Sequence, residues 1–462
     1  MKQPTNFTKF SLVALLITTV ANLGFGAEDL AKQEARRAPE WVQNGVIYEI
    51  FTRNFSREGN FNGITARLDE LKDLGVNVLW LMPIHPIGEK MHKGTIGSPY
   101  AVKDYYAINA DYGTEADLKK LVAEAHKRDL KVILDIVANH TAWDSVMMRH
   151  PEYYKQDASG KIIPPVPEWT DVAGLNYENP KLCQEMIAML KHWIDPSTFD
   201  LDGFRCDVAS MVPTTFWEQA RAELQAMKPD IMMLAEASKP ELLLKAFDID
   251  YAWPFHGTLN EVLLNGAPAS EFKRSWDQSL KEFPHGSLHM RISDNHDEAR
   301  AVARFSAKGA LAASALMFSL DGVPLLYNGM EVGDATESGD PALFEQLPTF
   351  WHPKGRPALR EIYRDLIRLR KENPAFRNDR VVWLHNSEEA NLVTLMRSDE
   401  HNEFVTVINF SNRPMTGWVE VMHDQEFKPV QISGITQSPG SGFPLFRLGG
   451  FEWRIYRRSI AP

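Results

Sequence analysis

The stretch Lys131-Val-Ile-Leu-Asp-Ile-Val-Ala-Asn-His140 joins a short apolar run to a polar tail. The segment before it, 114–129, has apolar residues at helical spacing, and Thr114 can cap its first turn. A helix followed directly by a buried strand is the repeating unit of an α/β fold. The polar tail marks a candidate site, because functional residues of such folds follow the carboxyl ends of the strands.

Short apolar runs alternate with amphipathic helical segments from about Val46 to Lys371. The runs contain few polar residues, as expected of parallel strands that are buried on both faces. The eight predicted strands end at or near residues 51, 82, 136, 207, 236, 253, 293 and 329. Eight strand–helix repeats favour a (β/α)8 TIM barrel over an open sheet.

Two segments stand outside this repeat. Residues 141–176, after the third strand, are polar, rich in Pro, Tyr and Trp and without a helical pattern, which predicts a small inserted subdomain. After about Arg377, short strand-like runs between turn signals predict a C-terminal antiparallel β domain. We therefore assign a barrel to 41–377, with the insertion at 141–176, and a β-sandwich domain to 378–462.

The N-terminus has the pattern of a secretory signal peptide, which we place at 1–26. Lys2 and Lys9 give a positive start, the run 11–25 is mostly apolar, and small residues offer cleavage after Ala21 or Gly26. A membrane anchor is the alternative, but the run is shorter than the roughly 20 residues that a span needs. We expect a secreted or periplasmic protein without membrane contact after signal removal.

The formal net charge of the 462-residue chain is −11, which argues against nucleic acid as a partner. Binding to a phosphate backbone needs a basic footprint, whereas a neutral polymer such as a glucan is compatible with this charge. Two cysteines, Cys183 and Cys206, exclude a disulfide scaffold. We expect both to be buried free thiols.

Carboxylates end three further apolar runs, Gly203-Phe-Arg-Cys-Asp207, Ile231-Met-Met-Leu-Ala-Glu236 and Ser293-Asp-Asn-His-Asp297. In a barrel these strand ends share one face. Two carboxylates that flank one bond suit glycosidic cleavage. Each motif alone is weak, because an Asp–His pair near a strand end is often a structural hydrogen-bonded pair. The order and spacing of all four segments carry the signal.

The four segments resemble, in order, the four conserved regions of the α-amylase family of glycoside hydrolases: DIVANH, GFRCDVAS, LAEA and SDNHD. The resemblance covers about 46–371 and extends to SPYAVKDY at 98–105, DYGT at 111–114 and GVPLLYNG at 322–329. It implies a retaining glycosidase that acts on α-1,4-linked glucose in starch, glycogen or maltodextrins.

The resemblance also implies roles for seven residues. Asp207 would be the nucleophile that forms a covalent glycosyl-enzyme, Glu236 the general acid and then base, and Asp297 the transition-state stabiliser. Glu236 must be protonated to donate, and partial burial beside other carboxylates favours that form. The residues expected to contact substrate or orient the nucleophile are Tyr100, His140, Arg205 and His296.

Calcium is the one metal that the resemblance raises. Many family members hold a structural Ca²⁺ between the barrel and the inserted segment, and Asn139 matches one of its ligands. Met211 and Ser210 stand where those members have a histidine and a lysine. These departures argue against the usual site and leave a structural calcium ion as an open alternative. The chemistry itself needs no cofactor, and no metal ligand is assigned.

Several alternatives stay open. Internal cleavage is the first expectation, while an exo-acting α-glucosidase or a glucanotransferase would differ in pocket shape and in how water and sugars compete for the intermediate. A phosphorylase would need a phosphate-binding constellation, which is not evident, and an isomerase of the same family is a further variant. A non-catalytic barrel would lack one of the three carboxylates.

Two weaker expectations concern the insertion and the oligomeric state. Trp143 and Trp169 are equally well explained as sugar platforms or as surface packing, and Asp104 is better explained as loop support than as a substrate contact. The barrel begins at about Trp41, so a dimer-forming N-terminal β domain does not fit before it. We therefore expect a monomer.

Overall fold

The computed structural model describes residues 30–336, 339–352, 359–435 and 442–460. The predicted signal peptide lies outside them. Between residues 30 and 327, ten strands occur, in chain order β1 (Ile47–Ile50), β2 (Val78–Leu81), β3 (Lys131–Ile136), β4 (His140–Ala142), β5 (Val172–Gly174), β6 (Gly203–Cys206), β7 (Met232–Ala235), β8 (Ile249–Tyr251), β9 (His289–Arg291) and β10 (Val323–Tyr327).

Eight of these strands close a parallel barrel in the order β1-β2-β3-β6-β7-β8-β9-β10. The predicted fold class is therefore confirmed. The remaining two, β4 and β5, form an antiparallel pair within the segment that was predicted as an insertion after the third strand. Two short 3-10 helices, Val146–Arg149 and Pro151–Tyr153, complete this segment.

Helices connect the barrel strands. They are α1 (Glu40–Gln43), α2 (Thr52–Phe55), α3 (Phe61–Thr65), α4 (Leu68–Leu74), α5 (Glu115–His126), α6 (Pro180–Ile194), α7 (Thr214–Met227), α8 (Leu242–Lys245), α9 (Trp253–Leu263), α10 (Glu271–Glu282), α11 (Ala301–Ser319), α12 (Asp340–Leu343) and α13 (Arg360–Glu372). Ser306 interrupts α11 with φ 64° and ψ 166°. Further 3-10 turns are Ala209–Met211, Met330–Val332, Pro374–Phe376 and Asp424–Glu426. Among the described residues, no helix combines the length and hydropathy of a membrane span.

Helix α5 shows how local sequence sets the element boundaries. The Thr114 hydroxyl accepts from the Asp117 N–H at 3.2 Å, and the Asp117 carboxylate accepts from the Thr114 N–H at 2.9 Å. This reciprocal capping fixes the first turn. The helix ends three residues before the predicted Asp129, because Asp129 adopts a left-handed φ of 53° that turns the chain into β3.

The pleat of the strands divides the core into two layers. In β3, Val132 and Leu134 pack outward against the helices, whereas Ile133 lies with the side chains that fill the barrel. Successive side chains alternate between faces, so Asp135 falls on the inner side with Ile133. In β6, Cys206 is buried in the outer layer. The pleat therefore aims only alternate residues into the barrel.

The cysteine prediction is only half right. Cys206 is buried, but Cys183 on α6 is partly exposed. Both are free thiols in the structure.

The C-terminal part forms two antiparallel sheets. Its strands are β11 (Val381–Trp383), β12 (Leu392–Ser398), β13 (Asn402–Asn409), β14 (Met415–Trp418), β15 (Lys428–Pro429), β16 (Leu445–Leu448) and β17 (Trp453–Ser459). One sheet has the order β11-β12-β13-β17-β15, and the other pairs β14 with β16. Arg397 donates to the carbonyl of Ser319 at 2.9 Å, and Ser319 shares a hydrogen bond with Thr406 at 2.9 Å. These contacts fix the sheet to the end of α11.

Candidate active site

Strand pairing brings the predicted residues to one end of the barrel. Asp135 in β3 lies opposite Arg205 in β6. Cys206 lies opposite Ala235 of β7, so Asp207 and Glu236, the next residue on each strand, emerge side by side. The remaining predicted residues follow β2, β3 and β9 at the same end of the barrel.

Arg205 is the centre of the site, and its side chain is fully buried. Its Nη1 atom lies 2.9 Å from Asp135 Oδ1 and 3.1 Å from Asp207 Oδ1. Its Nη2 atom lies 3.0 Å from Glu236 Oε2. Its Nε–H donates to the Tyr251 hydroxyl at 3.2 Å. One planar cation thus sets the positions of three carboxyl groups.

Negative charge is crowded around this cation. Burial, followed by the neighbouring Glu236, raises the pKa of Asp207 well above its ordinary range, and Arg205 only partly opposes this shift. Burial likewise raises the pKa of Asp135 against the attraction of Arg205. Carboxyl groups that share one desolvated site cannot all ionise together. Ionisation of one acid of this cluster therefore opposes ionisation of the next.

The backbone directly after Asp207 is strained. Val208, directly after Asp207, has a left-handed φ of 36°, which is costly for a β-branched residue. Its N–H donates to Glu236 Oε2 at 2.7 Å. Strain of this kind persists where surrounding contacts hold it, and here it orients the Glu236 carboxylate.

His296 connects the opposite side of the site. Its Nδ1 atom contacts the Glu49 carboxylate, and its Nε2 atom lies 2.6 Å from the Tyr100 hydroxyl and 3.2 Å from Asp297 Oδ2. Burial disfavours the charged imidazolium, but the carboxylates of Asp297 and Glu49 outweigh it and raise the pKa of His296 to about 9. His296 is therefore a cation near neutral pH.

Tyr100 lies between His296 and the Arg205 cluster. Its ring stacks on His296 with centroids 5.3 Å apart, and its hydroxyl donates to Asp135 Oδ2 at 3.0 Å. The resemblance implied that Tyr100 contacts substrate. The structure adds that Tyr100 links the two cationic groups of the site through Asp135.

His140 is buried at the edge of the insertion. Burial lowers the pKa of its imidazole to about 4, despite the attraction of Asp171. The Trp169 ring meets His140 edge-on, with centroids 5.5 Å apart. Trp143 instead donates to the Thr170 carbonyl within the insertion at 2.9 Å. Of the two candidate sugar platforms, the structure brings Trp169 to a predicted site residue.

Three residues of the site were missed in the sequence. Glu49 contacts His296, Trp80 donates from Nε1 to Asp135 Oδ2 at 3.2 Å, and Tyr251 accepts from Arg205. All three lie on barrel strands, and Glu49 is fully buried. For Glu49 the sequence did hold a signal. It is a charged residue in an otherwise apolar strand, and a buried carboxylate requires a partner.

The surroundings of Asn139 do not fit a calcium ion. Its Nδ2 atom lies 3.9 Å from the Met211 Sδ atom. Calcium prefers hard oxygen ligands, and a thioether is a soft one. Within the part of the chain that the structure describes, no group of three or more His, Cys, Asp and Glu residues is arranged to hold a metal.

Comparison with known proteins finds the same family that the sequence motifs resemble. The family model "Alpha amylase, catalytic domain" matches residues 35–160 and 168–346. Alpha-amylase MalA from Haloarcula japonica is 28% identical over 400 residues, which cover 82% of this chain and 57% of that protein. This chain thus spans little more than half the length of MalA.

Two solved structures are similar over nearly their whole length. The α-amylase from Lactobacillus plantarum has a TM-score of 0.79 and 30% identity, covering 90% of this chain and 99% of that one. The maltogenic α-amylase AmyB from Thermotoga neapolitana has a TM-score of 0.80 and 29% identity, covering 91% and 100%.

The two site histidines are predicted to differ in charge at pH 7. His296, with a pKa of about 9, carries both ring protons, and His140, with a pKa of about 4, is neutral. Glu49→Gln removes one of the carboxylates that favour the cation, so the His296 pKa falls toward its ordinary 6.5. Ring ¹⁵N NMR titration measures both values, with a His296→Gln variant for assignment.

His140 is the internal control, because its pKa should remain about 4 in Glu49→Gln.

The contribution of His296 to the free energy of unfolding is full below about pH 6.5 and is lost as the pH rises through about 9. The contribution of His140 to the free energy of unfolding is present above about pH 6.5 and is lost as the pH falls toward 4. A His296 titration near 6.5 in the unmodified protein would contradict this account.

Proposed function

The chain belongs to the α-amylase family of glycoside hydrolases, and on this premise we propose that it is a retaining glycosidase for α-1,4-glucosidic bonds in starch, glycogen or maltodextrins. One observation carries the proposal. A single buried guanidinium contacts both Asp207 and Glu236, which places a nucleophile and a proton donor at one bond.

The chemistry proceeds in two displacements. Asp207 attacks the anomeric carbon while Glu236 gives its proton to the glycosidic oxygen, and the bond between that carbon and oxygen breaks. The leaving chain departs with the proton, and a glucosyl ester on Asp207 remains. Water, deprotonated by Glu236, then attacks the same carbon and releases Asp207. Two inversions retain the α configuration.

The electrostatics of the site bear on the ionisation of the nucleophile. Arg205 favours the ionised form of Asp207, whereas burial and the neighbouring Glu236 oppose it. The raised pKa of Asp207 places the acidic limb of the activity profile above the usual range of an aspartate, because activity is lost as this carboxylate protonates. The limb belongs to the coupled cluster rather than to one residue.

Exposure separates the third carboxylate from the other two. The side chains of Asp207 and Glu236 are 10% and 13% exposed, whereas that of Asp297 is 41% exposed. An open carboxylate beside the cationic His296 is suited to bind sugar hydroxyls. Such hydrogen bonds strengthen as positive charge develops on the ring, so Asp297 acts as the transition-state stabiliser.

Neutral His140 and cationic His296 complete the recognition of the sugar. The Nε2 atom of His296 lies beside both the Tyr100 hydroxyl and Asp297, so the imidazolium orients these two groups toward the sugar. Neutral His140 can donate or accept, depending on its tautomer. Tyr100, with its ring against His296, provides the apolar surface of the same subsite.

Leaving-group chemistry distinguishes the two catalytic carboxyls. Asp207→Ala and Glu236→Ala should each lower kcat/KM on maltoheptaose by about 10⁴-fold or more. Fluoride needs no proton to depart, so Glu236→Ala should retain substantial activity toward α-maltosyl fluoride, whereas Asp207→Ala should not. Initial rates on both substrates measure the difference.

Asp230→Ala, which changes an exposed aspartate outside the site, is the matched control and should behave like the unmodified enzyme. Full activity of Asp207→Ala on maltoheptaose would contradict the assignment of the nucleophile. Equal losses of Glu236→Ala on both substrates would remove its role as proton donor.

We further propose that activity does not depend on bound calcium. The proposal is supported by the Asn139–Met211 contact and by the chemistry, which routes no step through a metal. Dialysis against excess EDTA should leave both kcat/KM and the thermal unfolding midpoint unchanged. A loss of either that added Ca²⁺ restores would overturn the proposal.

We also propose that residues 1–26 direct export, and that the mature protein acts in the periplasm or outside the cell as a monomer. The charge and apolar pattern of these residues supports export. A reporter fused after residue 26 should leave the cytoplasm, while the same fusion with Lys2 and Lys9 changed to Glu should not. A cytoplasmic reporter in both cases would contradict export. Sedimentation of the mature chain tests the oligomeric state and should give the mass of a monomer.

A further inference from the structure

The segments around the barrel mouth differ greatly in length. Long segments follow β2 (82–114), β3 (137–179) and β10 (328–359), whose described residues are 328–336, 339–352 and 359. On the opposite side, β8 ends at Tyr251 and α9 begins at Trp253. One side of the site is therefore built up by long segments, and the other side is low.

The segments after β2 and β10 meet above the end of β1. The Ile96 N–H donates to the Phe344 carbonyl at 3.1 Å, and the Thr95 N–H donates to Glu345 Oε1 at 2.9 Å. Gly94 has a φ of 66°, and a Cβ atom on it would lie 2.3 Å from the Phe344 Cβ atom. The two segments thus touch so closely that only glycine fits at this point.

Arg53, which follows β1, holds both segments from below. It is 4% exposed, and its Nη1 atom donates to the carbonyls of Gly97 (3.2 Å) and Leu343 (3.3 Å). Asn54 Oδ1 accepts from the Leu347 N–H at 2.8 Å. A buried cation that bridges two carbonyl groups makes the junction a fixed part of the fold.

The junction is continuous with both flanks of the site. Lys93 Nζ lies 3.1 Å from Asp171 Oδ1 in the insertion. At the other end, the Gly339 N–H donates to the His296 carbonyl at 2.9 Å. We call residues 93–97 and 339–347 the wall. It runs from β9 past β10, β1 and β2 to the segment after β3.

The wall stands on the side away from the proton donor. Glu236 follows β7 and protonates the leaving oxygen on C1, so the reducing part of the substrate leaves past β7 and β8. The next unit toward the non-reducing end is joined through O4, on the far side of the ring from C1. In this orientation, that unit would extend toward the wall.

The space before the wall is short. Gly97 is held by Arg53, and only two residues, Ser98 and Pro99, separate it from Tyr100 at the predicted subsite. Three extended residues span at most roughly 10 Å. Gly97 therefore lies within roughly 10 Å of Tyr100, and the stretch of glucan between this subsite and the wall is short.

From these contacts we infer that the enzyme acts from the non-reducing end of α-glucans and releases short oligosaccharides, because the wall closes that end of its cleft. The inference rests on the proposed function and refines it. Internal cleavage, the first expectation from sequence, requires a groove that is open at both ends.

Blocked substrates test the closure directly. The two substrates are p-nitrophenyl α-maltoheptaoside with a free terminal glucose and the same compound with a 4,6-O-ethylidene group on that glucose. Chromatography of the products should show that the blocked compound is cleaved at least about 100-fold more slowly, since the wall excludes the extra group. Cleavage of both at comparable rates would overturn the inference and leave the proposed function intact. Failure to cleave the free compound would instead refute the proposed function.

A wedge variant with a matched control tests the wall itself. Gly94→Ala forces a Cβ atom against Phe344, whereas Gly160→Ala adds one at φ 82° in the insertion, with its nearest neighbour 3.9 Å away. The ratio of blocked to free cleavage should rise about tenfold or more in Gly94→Ala, because the two segments must separate. It should stay unchanged in Gly160→Ala. An unchanged ratio in Gly94→Ala would contradict closure at this junction.

Discussion

The buried guanidinium of Arg205 is the constraint on which the site depends. It contacts Asp135, Asp207 and Glu236, and it receives further orientation from Tyr251. Burying so many carboxyls without a cation would be prohibitive, and removal of one partner of a buried ion pair typically costs about 3–5 kcal/mol. The same geometry that makes the cluster tolerable also holds together the two carboxyls on which the proposed mechanism depends. In that mechanism, stability and catalysis use the same contacts.

The barrel supplies this geometry through its pleat. Alternate residues of β3 and β6 point inward, so Asp135 and Arg205 meet inside the closed sheet while Leu134 and Cys206 pack outward. The second cation, His296, is held by Glu49 from β1 and linked to the first through Tyr100 and Asp135. Two cations and five carboxyls, two of which are Glu49 and Asp297, thus form one connected network.

Sequence predicted the elements that have strong periodicity and the residues that end them. The eight barrel strands were placed within a few residues, because buried parallel strands are nearly continuous apolar runs. The edge strands β15 and β16 carry no clear sequence signal, since β15 has two residues and β16 alternates exposed and buried side chains without an apolar run. Glu49 was missed because its partner, His296, is 247 residues away in the chain.

The wall was unpredictable for a related reason. It consists of irregular backbone whose contacts, such as Ile96 to Phe344, join segments that are distant in sequence. Gly94 has no signature that separates it from any turn glycine, and its close approach appears only in three dimensions. Polar strand ends in a recognisable order can therefore indicate a reaction, whereas the loops that decide which bond of a polymer is reached require the structure.

The central claim is that Asp207 forms a covalent bond with the sugar while Glu236 handles the proton. The most direct test is to trap that bond with 5-fluoro-α-maltosyl fluoride. Its anomeric fluoride leaves readily in the first displacement, and its C5 fluorine slows the second, so the glycosyl-enzyme accumulates. The protease digest is then analysed by mass spectrometry. The account predicts one added glycosyl mass on the peptide that contains Asp207, and none when Asp207 is changed to Asn. A label on another carboxylate, or turnover to a product of inverted configuration without any label, would contradict it.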